Sequence, residues 1–144
     1  MNPKPLTYGE IKIGDAAALS LVAAAETVDD YARLTGDLNP VHLDEDYAAR
    51  SFFKKRVAHG LLAAGLISAV LGTRLPGPGT IYLRQELDFK GPVFLGETIT
   101  ARAQVLEKFD RQEKIKLRTW VENQDGRLIL DGSALILFRP TGPS

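Results

Sequence analysis

The segment that most constrains the fold of this chain is 61–72, which reads LLAAGLISAVLG. Its composition is helical, but it lacks the polar stripe that a helix on the surface of a domain carries, so we expect it to be buried all round. It is too short to cross a bilayer, which takes about 20 apolar residues. The rest of the fold must therefore surround this helix. Its small residues predict close packing there: Ala63, Ala64, Gly65, Ser68 and Ala69.

The second half of the chain predicts the layer that covers the helix. After the break at Pro76–Gly79, apolar residues alternate with polar ones, which is typical of half-buried antiparallel strands. Asp125-Gly126 predicts a hairpin turn. The last strand, Leu128–Phe138, is apolar on both faces and is expected either in the middle of the sheet or at a subunit contact. The other strands are expected at 81–89, 99–105 and 115–121. We predict an α+β fold, a curved antiparallel sheet wrapped around the central helix.

The first half of the chain predicts shorter elements, namely a strand at about 19–25, a helix from 27 to 35 and a helix from 45 to 50. Thr27 is expected to be the N-cap of the first helix, with Asp29 and Asp30 in its positive first turn. Gly36 is expected to end that helix. We predict one domain, 1–144, with an ordered core at about 7–138 and loose ends outside it.

Composition excludes several classes of function. The 18 basic and 18 acidic side chains balance, which argues against a general nucleic-acid surface. The chain has no cysteine, which excludes disulfides, thiol nucleophiles and cysteine-ligated metals. Its only imidazoles are His42 and His59. The N-terminus does not resemble a secretory signal and no segment resembles a membrane span, so we expect a cytoplasmic protein.

The segment 36–42, GDLNPVH, is a candidate acid–base site. Pro40 stiffens the turn, and Asn39 can satisfy backbone groups in it. The turn presents Asp37 and His42 together, and such a pair can share a proton whose pKa is tuned by burial. The alternative is structural: Asp37 would be an ordinary turn residue and His42 a satisfied core residue.

The segment 57–61, VAHGL, leads into the apolar helix. The N–H of Gly60 is expected at the positive end of that helix, where it could polarise a carbonyl, although glycine also suits a tight turn. Ser68, within the helix, could bond the backbone one turn back or reach a ligand. No G-x-S-x-G elbow surrounds Ser68, which argues against a serine nucleophile.

Together these motifs resemble the (R)-specific enoyl-CoA hydratases of the MaoC-like dehydratase family, which have the hot-dog fold. The resemblance rests on GDLNPVH at 36–42, on HGL at 59–61 and on Ser68, and it extends to FKGPV at 89–93 and GET at 96–98. It covers most of the chain, from about Thr7 to Phe138. The spacing between the first two motifs makes their combination more specific than either motif alone.

The resemblance implies a role for each motif residue. Asp37 and His42 would activate a water that adds to C3 of a trans-2-enoyl thioester, and a proton would reach C2. The backbone N–H of Gly60 would bind the thioester carbonyl. Asn39 and Ser68 would support the pair, and His59 would be structural. The reaction needs no metal and no redox cofactor, so none is expected.

The substrate carrier and the assembly are further expectations. Lys54, Lys55 and Arg56 could bind the phosphates of coenzyme A or an acidic acyl-carrier protein, unless they are only a solvated cluster. Dimerisation would cover the exposed part of the helix and one edge of the sheet, so a homodimer is expected. The competing functions are a hot-dog thioesterase, which directs water at the carbonyl, and a thioester-binding domain without turnover.

Overall fold

The computed structural model describes residues 5–142. The expected loose ends lie partly outside this range, at 1–4 and 143–144. The helices are α1 (Ala25–Thr35), α2 (Pro40–Leu43), α3 (Glu45–Arg50) and α4 (Gly60–Thr73), and the strands are β1 (Ala16–Val22), β2 (Thr80–Phe89), β3 (Thr98–Phe109), β4 (Lys114–Asn123) and β5 (Leu128–Phe138). Within the described residues, none of these helices has the length and apolar character needed to cross a membrane.

The five strands form one antiparallel sheet in the order β1-β3-β4-β5-β2. The two edges are β1 and β2, and β5 lies between β4 and β2. The predicted alternation on β4 is confirmed, since its alternate residues are buried, beginning with Ile115 and Leu117. The apolar character of β5 therefore reflects a strand flanked on both sides, the first of the two positions that the sequence left open.

Helix α4 packs against the sheet and contacts β1, β2, β3 and β4. Its residues Ile67, Val70 and Leu71 are almost fully buried in the same core as residues of β3, β4 and β5. The expectation that the helix is buried all round is wrong for the single chain, because one stripe of α4 faces outward. The stripe recurs every three or four residues and consists of Leu61, Gly65, Ser68 and Gly72. One sheet covers only one side of a helix.

Two predicted boundaries near the N-terminus are wrong. Strand β1 covers 16–22 rather than 19–25, and α1 begins at Ala25, so Ala24 rather than Thr27 stands at its N-cap. The acidic residue in its first turn is Glu26, not Asp29 or Asp30. The run of alanines from 23 to 25 carries no boundary signal, and alanine favours an early helix start.

Helix α1 ends at Gly36 as predicted, with φ of 79°, a left-handed backbone that glycine adopts without strain.

The short helix α2 is not among the predicted elements, since the sequence indicated only a stiff turn at Pro40. Pro40 occupies the first helical turn, and the side chain of Asn39 accepts a hydrogen bond from the N–H of Val41 at 3.3 Å. This geometry is favourable because proline lacks the N–H that would be unpaired there.

Candidate active site

The GDLNPVH segment forms a loop that displays Asp37 and then enters α2, which carries His42. The carboxylate of Asp37 accepts a hydrogen bond from the N–H of Asn39 at 3.3 Å, and the Asn39 side chain in turn caps α2. Asp37 is exposed and His42 is half-buried. A ligand atom of Asp37, one of His42 and one of His59 all lie within 4.8 Å of one another. The structure thus brings the predicted pair together beside the second histidine.

The hydrogen bonding of His42 determines which of its nitrogens can accept a proton. Its Nδ1 lies 2.7 Å from the carbonyl oxygen of Val57. Since a carbonyl only accepts, Nδ1 carries the hydrogen in the neutral ring, and the lone pair lies on Nε2. Burial lowers the pKa of His42 below its ordinary value of 6.5, against the opposing effects of the Val57 carbonyl and of Asp37. His42 is therefore set up as a neutral base.

The second histidine lies directly against this pair. His59 is 2% exposed, and its ring stacks on that of His42 with centroids 3.8 Å apart and an angle of 29° between the planes. Its Nε2 lies 3.0 Å from the backbone oxygen of Asp37. The same three residues have the donor types of a metal site, but the geometry is unfavourable. The lone pairs of two stacked imidazoles lie in two nearly parallel planes, so they do not point at one ion between the rings.

Gly60 lies at the first position of α4, next to the pair. Its backbone N–H donates no hydrogen bond to any residue of the described range, as is usual for the first turn of a helix. A Cβ at this position would lie 2.7 Å from Cε1 of Phe89, at the end of β2. A side chain at position 60 would therefore have to displace the Phe89 ring, whereas glycine leaves the ring in place and the N–H open to a ligand.

A pocket of about 340 Å³ opens beside His42 and Gly60. Its walls are mostly apolar and come from the segment before α4, the end of β2 and the start of β5; they include Phe53, Val57, Phe89, Val93 and Leu130. His42 lines this pocket, and Asp37 lies within 4.8 Å of His42 without lining the pocket itself. A carboxylate and an imidazole lone pair this close can hold one water between them and move its proton. A hydrogen-bond donor such as the Gly60 N–H can stabilise negative charge that develops on an oxygen.

Ser68 does not line this pocket. It lies on the exposed stripe of α4, and its hydroxyl makes no hydrogen bond with the described residues, so the first of its two alternatives, a bond to the preceding turn, is not formed. Its supporting role stays a prediction, and in a single chain its hydroxyl faces away from the core.

The three basic residues before α4 differ in their environments. Lys54 and Lys55 are exposed, and the ammonium of Lys55 lies 4.3 Å above the ring of Phe94. The side chain of Arg56 is only 11% exposed, and its guanidinium pairs with two carboxylates, Asp29 at 2.9 Å and Glu45 at 3.7 Å. It also donates from Nε to the carbonyl of His42 at 2.7 Å. Arg56 thus braces α2, and only the two lysines are free to meet a phosphate.

Sequence reasoning missed the aromatic residues that shape the site. Phe89 was noted only as part of a motif, and Tyr31 only as a helix residue, yet Phe89 contacts Gly60 and the Tyr31 ring lies 4.6 Å from that of His59. Phe53 also lines the pocket. No local signal marks such contacts, because they join residues far apart in the chain.

Comparison with known proteins agrees with this geometry. Residues 5–126 match the MaoC like domain. The chain is 42% identical to an (R)-specific enoyl-CoA hydratase of Rhodospirillum rubrum, over 94% of this chain and 93% of the relative. It is 41% identical to a 3-hydroxybutyryl-CoA dehydratase of Methylorubrum extorquens, over 91% of this chain and 83% of that protein.

A solved structure is also similar. The unliganded R-hydratase of Pseudomonas aeruginosa superposes with a TM-score of 0.88 and 43% identity, over 93% of this chain and 86% of that one. The five-stranded antiparallel sheet with α4 packed on it is thus the hot-dog fold that the sequence predicted. On the strength of the matched domain and of these relatives, the chain belongs to the MaoC-like dehydratase family.

Proposed function

We propose that this protein catalyses the reversible hydration of trans-2-enoyl-CoA to (R)-3-hydroxyacyl-CoA. The observation that carries the proposal is the placement of three groups beside one another. The imidazole of His42 and the open N–H of Gly60 line one apolar pocket, and the carboxylate of Asp37 lies within 4.8 Å of His42. The relatives that the chain resembles over more than nine-tenths of its length bear names of this hydratase and dehydratase class.

The mechanism follows from the placement of these groups. The pair holds a water, removes one of its protons and directs the hydroxyl to C3 of the enoyl thioester. Electron density moves through C2 to the thioester oxygen, where the N–H of Gly60 stabilises the enolate. A proton from the pair then reaches C2. The carboxylate and the imidazole act as one coupled unit, so the proton they gain and lose is assigned to the pair rather than to either residue.

The remaining site residues take supporting roles in this proposal. Asn39 caps α2 and donates its N–H to the Asp37 carboxylate, which holds the loop. Lys54 and Lys55 would meet the phosphates of coenzyme A, since both are exposed and directly follow Phe53, which lines the pocket. An acidic acyl-carrier protein could use the same lysines, but the two relatives described above bear names that specify coenzyme A.

We infer that the protein works as a cytoplasmic homodimer. The exposed stripe of α4 and the unpaired edge of β2 would be covered by a second copy. Ser68 lies on that stripe and would join the site only in the dimer.

The reaction is tested with crotonyl-CoA and a thiol reagent in the same sample. We expect loss of the enoyl absorbance without release of free thiol, whereas early thiol release would indicate the competing thioesterase. Chiral analysis of the product should give the (R) isomer. A panel of trans-2-enoyl-CoA substrates from about four to twelve carbons would define the acyl length that the pocket accepts.

The catalytic assignment is tested with Asp37→Asn. The substitution keeps the size of the side chain but removes the charge, and we expect hydration to fall by about 10²- to 10⁴-fold, the range that a positioned proton-transfer group contributes. Because Asp37 is exposed, the variant should keep the thermal midpoint of the wild type. Wild-type activity in Asp37→Asn would refute the assignment. Equal thioester binding by both proteins without turnover would favour a binding domain.

A further inference from the structure

His59 is the most buried polar ring in the described chain, yet it touches both members of the catalytic pair. Its imidazole stacks on that of His42 with the ring centroids 3.8 Å apart, and the ring of Tyr31 lies tilted against it with centroids 4.6 Å apart. It is 2% exposed and lies immediately before Gly60. It makes no side-chain bond that would cap α4, so its polar atoms are not used to start the helix.

The hydrogen bond of His59 is directed at the loop that displays the carboxylate. Its Nε2 lies 3.0 Å from the carbonyl oxygen of Asp37, and a carbonyl only accepts, so Nε2 carries the hydrogen. Its Nδ1 is buried and has no partner within the described residues. A buried unpaired nitrogen is unfavourable, which indicates that the ring is kept there for a purpose other than stability.

Two of the three N–H groups at 37–39 make only long hydrogen bonds. The N–H of Asp37 donates to the Thr35 hydroxyl at 3.2 Å and that of Asn39 to the Asp37 carboxylate at 3.3 Å, while the N–H of Leu38 donates to the Gly36 carbonyl at 3.0 Å. Leu38 in the same loop is exposed. The bond from His59 at 3.0 Å links this exposed loop to the buried start of α4.

We propose that His59 is a positioning residue, which fixes the Asp37 loop through its Nε2–H while its stacked ring fixes the orientation of His42. This inference rests on the proposed hydratase function, because it assigns His59 a role in that reaction. A displacement of about 1 Å between reacting groups can lower a rate by about 10²-fold. The link therefore acts on the rate of proton transfer rather than on substrate affinity.

Two substitutions separate the hydrogen bond from the ring stack. His59→Phe keeps an aromatic ring between Tyr31 and His42 but cannot donate to Asp37. His59→Gln loses the ring but places an amide N–H close to the position of Nε2. We expect His59→Phe to lower kcat by about 10²-fold with KM within about twofold, and we expect His59→Gln to recover at least tenfold of that loss.

A merely structural role is distinguished with a matched control. Ile115→Ala removes a fully buried side chain of β4 that does not line the pocket, and should lower the thermal midpoint while kcat of the folded enzyme stays unchanged. All kcat values are measured below the midpoints, per mole of folded protein. If His59→Phe behaves as Ile115→Ala does, with a lower midpoint and wild-type kcat, the positioning role is overturned.

A readout independent of turnover separates this inference from the proposed function. Amide hydrogen exchange by NMR should become faster at residues 37–39 in His59→Phe, and stay near the wild-type rate in His59→Gln and Ile115→Ala. If the wild type hydrates no enoyl-CoA, the hydratase proposal is overturned. Faster exchange at 37–39 in His59→Phe would still show that His59 anchors the loop. Unchanged exchange at 37–39 in His59→Phe would overturn the positioning role whatever the activity.

Discussion

At the scale of single residues, the proposed mechanism depends on the protonation of His42. Its Nε2 must be neutral to take a proton from water, and burial lowers its pKa below 6.5. A lowered pKa keeps the neutral form dominant to lower pH. We therefore expect kcat/KM for hydration to be flat from about pH 7 to 8 and to fall only below about pH 6.5.

This pH prediction is checked by steady-state kinetics beside an NMR titration. Because the chain contains only two histidines, the imidazole signals of His42 can be assigned by comparison with His59→Gln. The acid limb of the rate profile should coincide with the titration of the catalytic pair. A limb well above pH 6.5 would show that a different group limits the rate.

The sequence could identify Asp37, His42 and Gly60 as candidate site residues because each lies in a short motif with its own local signal. The stack of His59 on His42 and the contact of Phe89 with Gly60 could not be predicted in this way. Such contacts depend on how α4 lies against the end of β2, which no spacing within one motif encodes. Arg56 illustrates the same limit, since its charge suggested a phosphate contact and its position made it a brace for α2.

At the scale of elements, periodic segments were predicted well and aperiodic ones were not. Helix α4 extends over 60–73 against a predicted 61–72, and β5 has the predicted bounds. The predicted start of α1 and the predicted position of β1 were wrong, because the alanines at 23–25 include no capping or turn residue that would mark the boundary between them. Hydrogen bonds to a distant segment hold Ala23 outside both elements: its N–H donates to the carbonyl of Glu97, and its own carbonyl accepts from the N–H of Gly96.

A side chain at the start of α4 should displace the Phe89 ring. In Gly60→Ala, the new Cβ would lie 2.7 Å from that ring, which is 58% exposed and can turn away. We expect a loss of at most about 1 kcal/mol in the free energy of unfolding and a fall of about 10²-fold in kcat/KM. Urea unfolding and hydration kinetics measure the two effects.

A double variant separates the contact from the catalytic role of Gly60. Gly60→Ala/Phe89→Ala removes the ring that the new methyl meets. The double variant should therefore lose less unfolding free energy than the two single variants lose together. Its kcat/KM should remain below that of Phe89→Ala alone, because the methyl still stands beside the N–H. Equal activity of those two variants would show that only the displaced ring mattered.

The pairing of β5 with β2 depends on a second glycine. A Cβ on Gly132 would lie 1.8 Å from the carbonyl oxygen of Glu86, a backbone atom of the neighbouring strand that cannot rotate away. We expect Gly132→Ala to lower the free energy of unfolding by about 3 kcal/mol, and the thermal midpoint by about 10 °C. Gly9→Ala is the control, since open space surrounds that position and its midpoint should hardly change.

At the scale of the whole molecule, the single chain leaves apolar surface uncovered on both β2 and α4. On β2, Ile81 is 47% and Leu83 is 46% exposed, and on α4, Leu61 is 62% exposed. Strand β2 is also an edge of the sheet, whose free N–H and C=O groups can pair with another strand. Its alternating pattern predicted the strand correctly, but no sequence pattern says which strand lies at an edge. The single-domain assignment over 1–144 likewise stays a prediction.

These surfaces predict a homodimer that forms through the edge of β2. Light scattering should give twice the chain mass of 15.7 kDa. Leu83→Glu would place a charge at the centre of that edge, where burial of an unpaired carboxylate is strongly unfavourable. We expect Leu83→Glu to be monomeric at micromolar concentration, and to lose most of its hydration activity if Ser68 joins the site only in the dimer.

Ile13→Glu is the matched control for this prediction, since it adds the same charge at an apolar residue that is 67% exposed, before β1 at the opposite edge of the sheet. It should remain dimeric and active. A dimeric Leu83→Glu would place the interface elsewhere, on the exposed face of α4 alone. A monomeric Leu83→Glu with full activity would show that one chain holds the complete site, because Asp37 lies beside His42, and His42 and Gly60 line one pocket, within a single chain.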